Sequence, residues 1–167
     1  MRLPIITSAI SAALLLSVGL NFSAISQTPV ETAKSPANNN LNLRRSKFNR
    51  HLWNQAKISN YRYTFSNGCF CIPDARGPVV IEVRNGQTTS ITSVATGKPV
   101  NPQYFEKYKT IPKLFNAIQD AINRNAFSLN LGYSPKLGYP TKIDIDYDSQ
   151  IADEEIFLTI ENFQEIK

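Results

Sequence analysis

Residues 79–88 read Val79-Val80-Ile81-Glu82-Val83-Arg84-Asn85-Gly86-Gln87-Thr88, and the reading of this stretch decides the fold. Val79 to Arg84 is rich in β-branched side chains, which suit a pleated, half-buried strand better than a helix. Asn85-Gly86 then places together two residues that tolerate the positive φ a type I′ turn demands, so the chain is expected to reverse into a hairpin. The returning strand should cover about Thr88 to Ala95, and Thr96-Gly97-Lys98-Pro99 stops it.

Upstream of the hairpin, Tyr61, Tyr63 and Phe65 alternate with Arg62, Thr64 and Ser66, the period of two of a strand with one buried face. Before that strand, Ser46 is a plausible N-cap for a helix in which Phe48, Leu52, Trp53 and Ala56 form an apolar stripe. Trp53 reads as a core anchor, because a large aromatic beside Leu52 on the buried side usually packs. Downstream, Thr110 caps the best helix of the chain. Pro112 sits in its first turn, and Ile111, Leu114, Phe115, Ile118, Ala121 and Ile122 recur at offsets of three and four. Phe127 to Tyr133 alternates as a strand, Ser134 to Pro140 is turn-rich, and strands at about Thr141–Tyr147 and Glu155–Phe163 close the chain. The expected class is α+β: an antiparallel sheet of five or six strands carrying two helices, in the order α-β-β-β-α-β-β-β. No internal repeat is evident, though both halves run helix first and strands after.

The N-terminus has a different character. Arg2 precedes an apolar run from Ile5 to Leu20, and Ala24 and Ser26 provide the small residues a signal peptidase requires, so residues 1–26 read as a signal peptide cleaved before Gln27. The competing reading is a retained anchor, since about 20 apolar residues can span a bilayer. No cysteine lies near the cleavage point, which argues against a lipid-anchored lipoprotein. Residues 27–45 turn to Thr, Pro, Ser, Ala and a triple Asn, and are expected to be a disordered spacer. Residues 46–167 then form a single domain of ordinary size. Cleavage would make the product periplasmic or secreted, with no membrane span in the mature chain.

Charge adds little to the search for a partner. The formal net charge of +5 is too small to argue for nucleic acid, which is not expected to be a partner. Its distribution is uneven: Arg44, Arg45, Lys47, Arg50, Lys57 and Arg62 occur without an acid between residues 44 and 62, whereas residues 144–165 hold eight acids and no base. Mutual attraction or solvated faces explain this more simply than a partner-binding patch.

Two constellations carry the remaining chemistry. Cys69 and Cys71 lie at i and i+2. On an extended chain their Cα atoms would be about 7 Å apart, at the edge of bridgeable geometry. A tight-loop disulfide, a thiol-redox pair and a two-thiolate metal site all remain open, although a metal normally wants four ligands. The second is Asp144, Asp146 and Asp148 with Glu155. Read as a twelve-residue calcium loop, these fall at positions one, three, five and twelve. Against it, Ser149 occupies the place of the turn glycine, and Ile143, Ile145 and Tyr147 make the flank a strand where a helix is required. A solvated strand face with a charged hairpin tip is the plainer account. The single histidine, His51, falls on the polar side of the first helix, which closes off most acid–base schemes. No catalytic residue and no cofactor is expected.

The order of landmarks resembles a known family. A tryptophan-bearing first helix, Tyr61-x-Tyr63-x-Phe65, Cys69-Phe70-Cys71-x-Pro73, Gly77-Pro78-Val79, Val83-Arg84-Asn85-Gly86, Thr110-x-x-x-Leu114-Phe115, Gly138-Tyr139-Pro140 with Ile145-Asp146, and Asp153-Glu154-Glu155 together resemble the bacterial exported domain of unknown function family 6174. The resemblance spans about Ser46 to Asn162. It implies a small secreted or lipid-anchored protein, departs from the lipid-anchored type in lacking the anchoring cysteine, and implies no reaction. The function expected is therefore that of a non-enzymatic binding or interaction module meeting an unknown envelope protein or component, with a thiol-redox protein or a calcium-stabilised module as alternatives. The wet face of the sheet, or an exposed apolar patch, is where a partner would meet it.

Overall fold

Asn38 starts the first helix: its side-chain oxygen accepts the amide of Leu41 at 3.1 Å, supplying a partner that an opening helical turn otherwise lacks. The computed structural model describes residues 38–167, so the expected signal peptide and the spacer as far as residue 37 lie outside the described residues. Helix α1 (Asn39–Ala56) ends at Lys57, which adopts the left-handed conformation. Strand β1 (Tyr61–Asn67) follows, then a single turn α2 (Pro73–Arg76), then β2 (Val79–Arg84) and β3 (Gln87–Ser93). The β2–β3 turn is the one its sequence demands, with φ of 50° at Asn85 and 74° at Gly86.

A 3-10 turn at Pro102–Phe105 leads to α3 (Ile111–Asn123), capped by the Thr110 hydroxyl accepting from the Lys113 amide at 3.3 Å. Strands β4 (Ser128–Tyr133), β5 (Pro140–Asp146) and β6 (Ile156–Glu165) complete the chain. The order α-β-β-β-α-β-β-β therefore stands, with the short α2 and the 3-10 turns at Pro102–Phe105 and Ala152–Glu154 added to it.

All six strands form one antiparallel sheet in the order β3-β2-β1-β6-β5-β4. Each half is a three-strand meander, and the halves join where β1 pairs with β6. One face buries Tyr61, Tyr63 and Phe65 of β1, Ile81 of β2, Ile143 and Ile145 of β5 and Leu158 of β6 under the helices. The apolar side of α3 supplies Ile111, Leu114, Phe115, Ile118, Ala121 and Ile122 to the same core. The opposite face is polar and largely self-satisfied. Arg62 bonds Gln164, Arg84 pairs with Glu82, and Lys142 pairs with Asp144.

The sequence reading of the first helix needs correcting in two respects. The helix begins at Asn39, so residues 39–45, assigned to the spacer, are helical, and Ser46 is an interior residue buried to 4% exposure. Phe48, placed on the buried stripe, is 62% exposed, while Asn42 and Ser46 are buried with Trp53. The cause is the neighbour that α1 packs on. Strand β4 is an edge, and Asn42 Nδ2 donates to Leu129 O at 3.1 Å while an Arg45 guanidinium nitrogen donates to Leu131 O at 3.2 Å. Polar residues satisfy edge carbonyls that would otherwise template aggregation. The helix is consequently rotated to turn a polar flank inward.

Trp53 holds the other end of α1 to the sheet. Its ring meets Tyr61 and Phe163 edge-on at centroid distances of 5.3 and 5.7 Å, a geometry favoured by aromatic quadrupoles. The β4–β5 turn tucks beneath the same helix. Gly138 has a φ of +74°, and a Cβ there would stand 2.3 Å from Asn49 O, so only glycine fits.

Candidate functional site

The strands place four connections at one end of the sheet: the loop after β1, the chain leaving β3, the segment entering β4, and the β5–β6 loop. The loop after β1 is built from local chemistry. The Gly68 amide donates to Phe157 O at 2.8 Å, which leads the chain out of β1 beside the start of β6. Residues 69–71 then bend rather than extend, bringing the Cα atoms of Cys69 and Cys71 to 5.3 Å, and the two sulfurs are bonded. That spacing is well inside the bridgeable range. Ile72 is extended before Pro73, as a residue preceding proline should be, and Arg76 Nε closes the turn by donating to Cys71 O at 2.8 Å.

The loop displays Phe70, which is 90% exposed. Ile72 on the same loop, Val94 just past β3, Ile151 in the β5–β6 loop and Phe157 at the start of β6 are also exposed large apolar residues at this end. Tyr104 joins them from the 3-10 turn that packs on α2. A sheet end that exposes this many large apolar side chains is a candidate contact surface.

On the helical side near this end lies a cleft of about 470 Å³. Ile145, Ile156 and the Tyr108 ring form its apolar part, and Lys113, Asp120 and Arg124 stand on its rim. Most of its charges are matched within the fold. Lys109 and Lys113 both bond Glu106, which holds that carboxyl down at a pKa of about 2. The Arg124 guanidinium lies 3.8 Å above the centre of the Tyr147 ring and 3.6 Å from Asp120. Burial raises the Tyr147 hydroxyl, which donates to Asp120 Oδ2 at 3.3 Å and is therefore neutral near pH 7. Such a rim can orient a ligand; it offers no activated nucleophile.

The acidic residues singled out in the sequence are not gathered. Asp144 faces the polar side of β5, bound to Lys142 at 2.8 Å and to Asn130 at 3.3 Å. Asp146 is buried at the end of the same strand. Asp148 accepts from the Gln150 amide at 3.0 Å in a tight turn, and Glu155 precedes β6. Among the described residues no group of three or more His, Cys, Asp and Glu side chains is placed to hold a metal ion. His51 is exposed on α1. The cleft residues escaped the sequence reading because they come from α3, β5, β6 and the segment before α3, with no motif to link them.

A family model matches residues 45–165, described as a family of unknown function, DUF6174. The chain belongs to DUF6174. The match covers both meanders, α3 and most of α1, so the cysteine loop and the cleft are parts of the DUF6174 domain and not additions to it. No curated protein and no solved structure matches the chain. Among the described residues no helix is long and apolar enough to cross a membrane.

Proposed function

We propose that this DUF6174 protein is an exported, non-enzymatic binding module of the cell envelope, and that it meets its partner with the sheet end around the cysteine loop. One observation carries the reading: a covalently closed loop holds Phe70 almost fully in solvent, at a sheet end that exposes other large apolar side chains. Leaving a phenylalanine in water forfeits about 1.5–3 kcal/mol of burial, and closing the loop reduces the entropy lost on docking. Export rests on the apolar N-terminal run and the small residues before Gln27. The test is the double substitution Phe70→Ser with Ile72→Ser. The variant should keep its melting temperature within a few degrees and lose the cross-links to envelope proteins that wild type forms in its host. Cross-linking equal to wild type would overturn the reading, as would recovery of the native protein in the cytosol with its initiator methionine.

A thiol-redox role is the second reading, favoured by the bond between two partly exposed cysteines. A partner dithiol would reduce the Cys69–Cys71 bond to two thiols and itself become a disulfide. Mass measurement across graded redox buffers decides it: a pair that stays oxidised under strong reductant, or never oxidises, ends the idea.

A further inference from the structure

The outward side of α1 presents a second unexplained surface, at a distance in sequence from the cysteine loop. Leu41, Arg44, Phe48, His51 and Gln55 recur at intervals of three and four and so form one stripe, and every one of them is exposed. Leu41 is 51% and Phe48 62% in solvent, on a helix that buries Asn42 and Ser46 instead. Sealing the β4 edge explains why the polar residues face inward. It leaves unexplained why the outward side keeps a leucine and a phenylalanine where any polar residue would serve.

Charge points to the occupant. Arg44 and Lys47 flank the two apolar side chains, and neither forms an ion pair with another described residue, whereas Arg45 and Arg50 are held by Leu131 O and Asn116. No acidic residue occurs between Glu31 and Asp74, so nothing on this helix opposes an anionic surface. A helix with apolar side chains between unpaired bases suits the boundary between headgroups and acyl chains, where the apolar groups are buried and the bases meet lipid phosphates.

We propose that the outer face of α1 lies on an anionic lipid bilayer, with Phe48 and Leu41 inserted and Arg44 and Lys47 at the headgroups. The stripe shares no residue with the cysteine loop, so it is a second contact of the module beside the proposed partner site. Two inserted side chains and two bases make a reversible contact, not an anchor.

The test uses the chain from Gln27 onward, which keeps every described core residue, in sedimentation with vesicles. Wild type should partition onto vesicles rich in phosphatidylglycerol and stay in solution with pure phosphatidylcholine. The pair Leu41→Ser with Phe48→Ser, and separately the pair Arg44→Glu with Lys47→Glu, should each weaken partition by about tenfold or more, with unchanged circular dichroism. Phe70→Ser should bind the vesicles as wild type does, which separates this surface from the proposed partner site. No partition of wild type onto the anionic vesicles, equal partition onto both kinds, or undiminished binding by either α1 pair would overturn the proposal. Binding lost on Phe70→Ser alone would transfer the contact to the sheet end and overturn it equally.

Discussion

The two halves of the sheet are each a helix followed by a three-strand meander, yet their helices do opposite work. Helix α3 is an ordinary amphipathic element: six of its residues are buried and all are apolar. Helix α1 buries Asn42, Ser46 and Trp53 and sends Leu41 and Phe48 outward. The difference follows from what each covers. Helix α3 packs on β5, inboard of the edge, where apolar contact suffices, and α1 must also satisfy the exposed carbonyls of the edge strand β4. The opposite edge needs no helix, because the chain leaving β3 folds back on it: the Val100 amide donates to Ile91 O at 3.1 Å and the Ser93 amide to Lys98 O at 2.9 Å. A helix recruited to seal an edge gives up its apolar stripe, and its sequence then misleads a reader who expects burial to follow hydrophobicity.

The sharpest contrast is between two phenylalanines. Phe115→Ala in α3 removes a fully buried ring and should lower stability by about 3–5 kcal/mol, measured by urea denaturation. A loss under about 1 kcal/mol would break the comparison from the α3 side. Gly138→Ala sits where the second half's turn presses on α1. A Cβ there meets Asn49 O at 2.3 Å and the φ is positive, so a loss of about 1–3 kcal/mol is expected, with α1 amides exchanging faster than those of α3.

Tyr61 joins the halves directly: its hydroxyl accepts the Ile111 amide at 3.1 Å, at the start of α3. Tyr61→Phe leaves that buried amide without a partner and should lower stability by about 1–2 kcal/mol. Burial raises the Tyr61 pKa from 10.0 to about 12. The folded state therefore holds this proton more tightly than the unfolded one. Its contribution is intact below pH 10 and is lost as pH rises toward about 12. Alkaline melts should show the loss in wild type and a shallower one in Tyr61→Phe.

Glu106 gives the smallest effect, because it is exposed. Its pKa is lowered from 4.5 to about 2 by Lys109 and Lys113. Whatever it contributes is present above pH 4.5 and declines as pH falls toward about 2. Glu106→Gln should flatten that part of a pH–melting curve slightly, and high salt should do the same in wild type.

What could be read from the sequence was local. The Asn85-Gly86 turn, the Thr110 cap and the period of α3 specify themselves through neighbours along the chain, and each was legible. The order of strands was not, since pairing of β1 with β6 joins residues about a hundred positions apart. The start of α1 was missed because Asn39, Asn40 and Asn42 are poor helix formers, and their helix is held by the Asn38 cap and by contacts to β4. Phe105 gave no signal at all, yet it is fully buried, its ring edge-on to Phe65 at 5.8 Å. Of the site, the cysteine pair was visible, but its bending into bonding distance was not, because residues 69–71 leave the extended geometry that alternation suggests.

One paired measurement tests the rotated setting of α1 most directly: the stabilities of Phe48→Ser and Asn42→Leu. The edge-sealing account expects the polar substitution on the outer face to change stability by no more than about 0.5 kcal/mol. It expects the apolar substitution on the inner face to cost about 1–3 kcal/mol, because Leu129 O loses its buried donor. Phe48→Ser proving the more damaging of the two would mean that α1 packs by its apolar stripe after all.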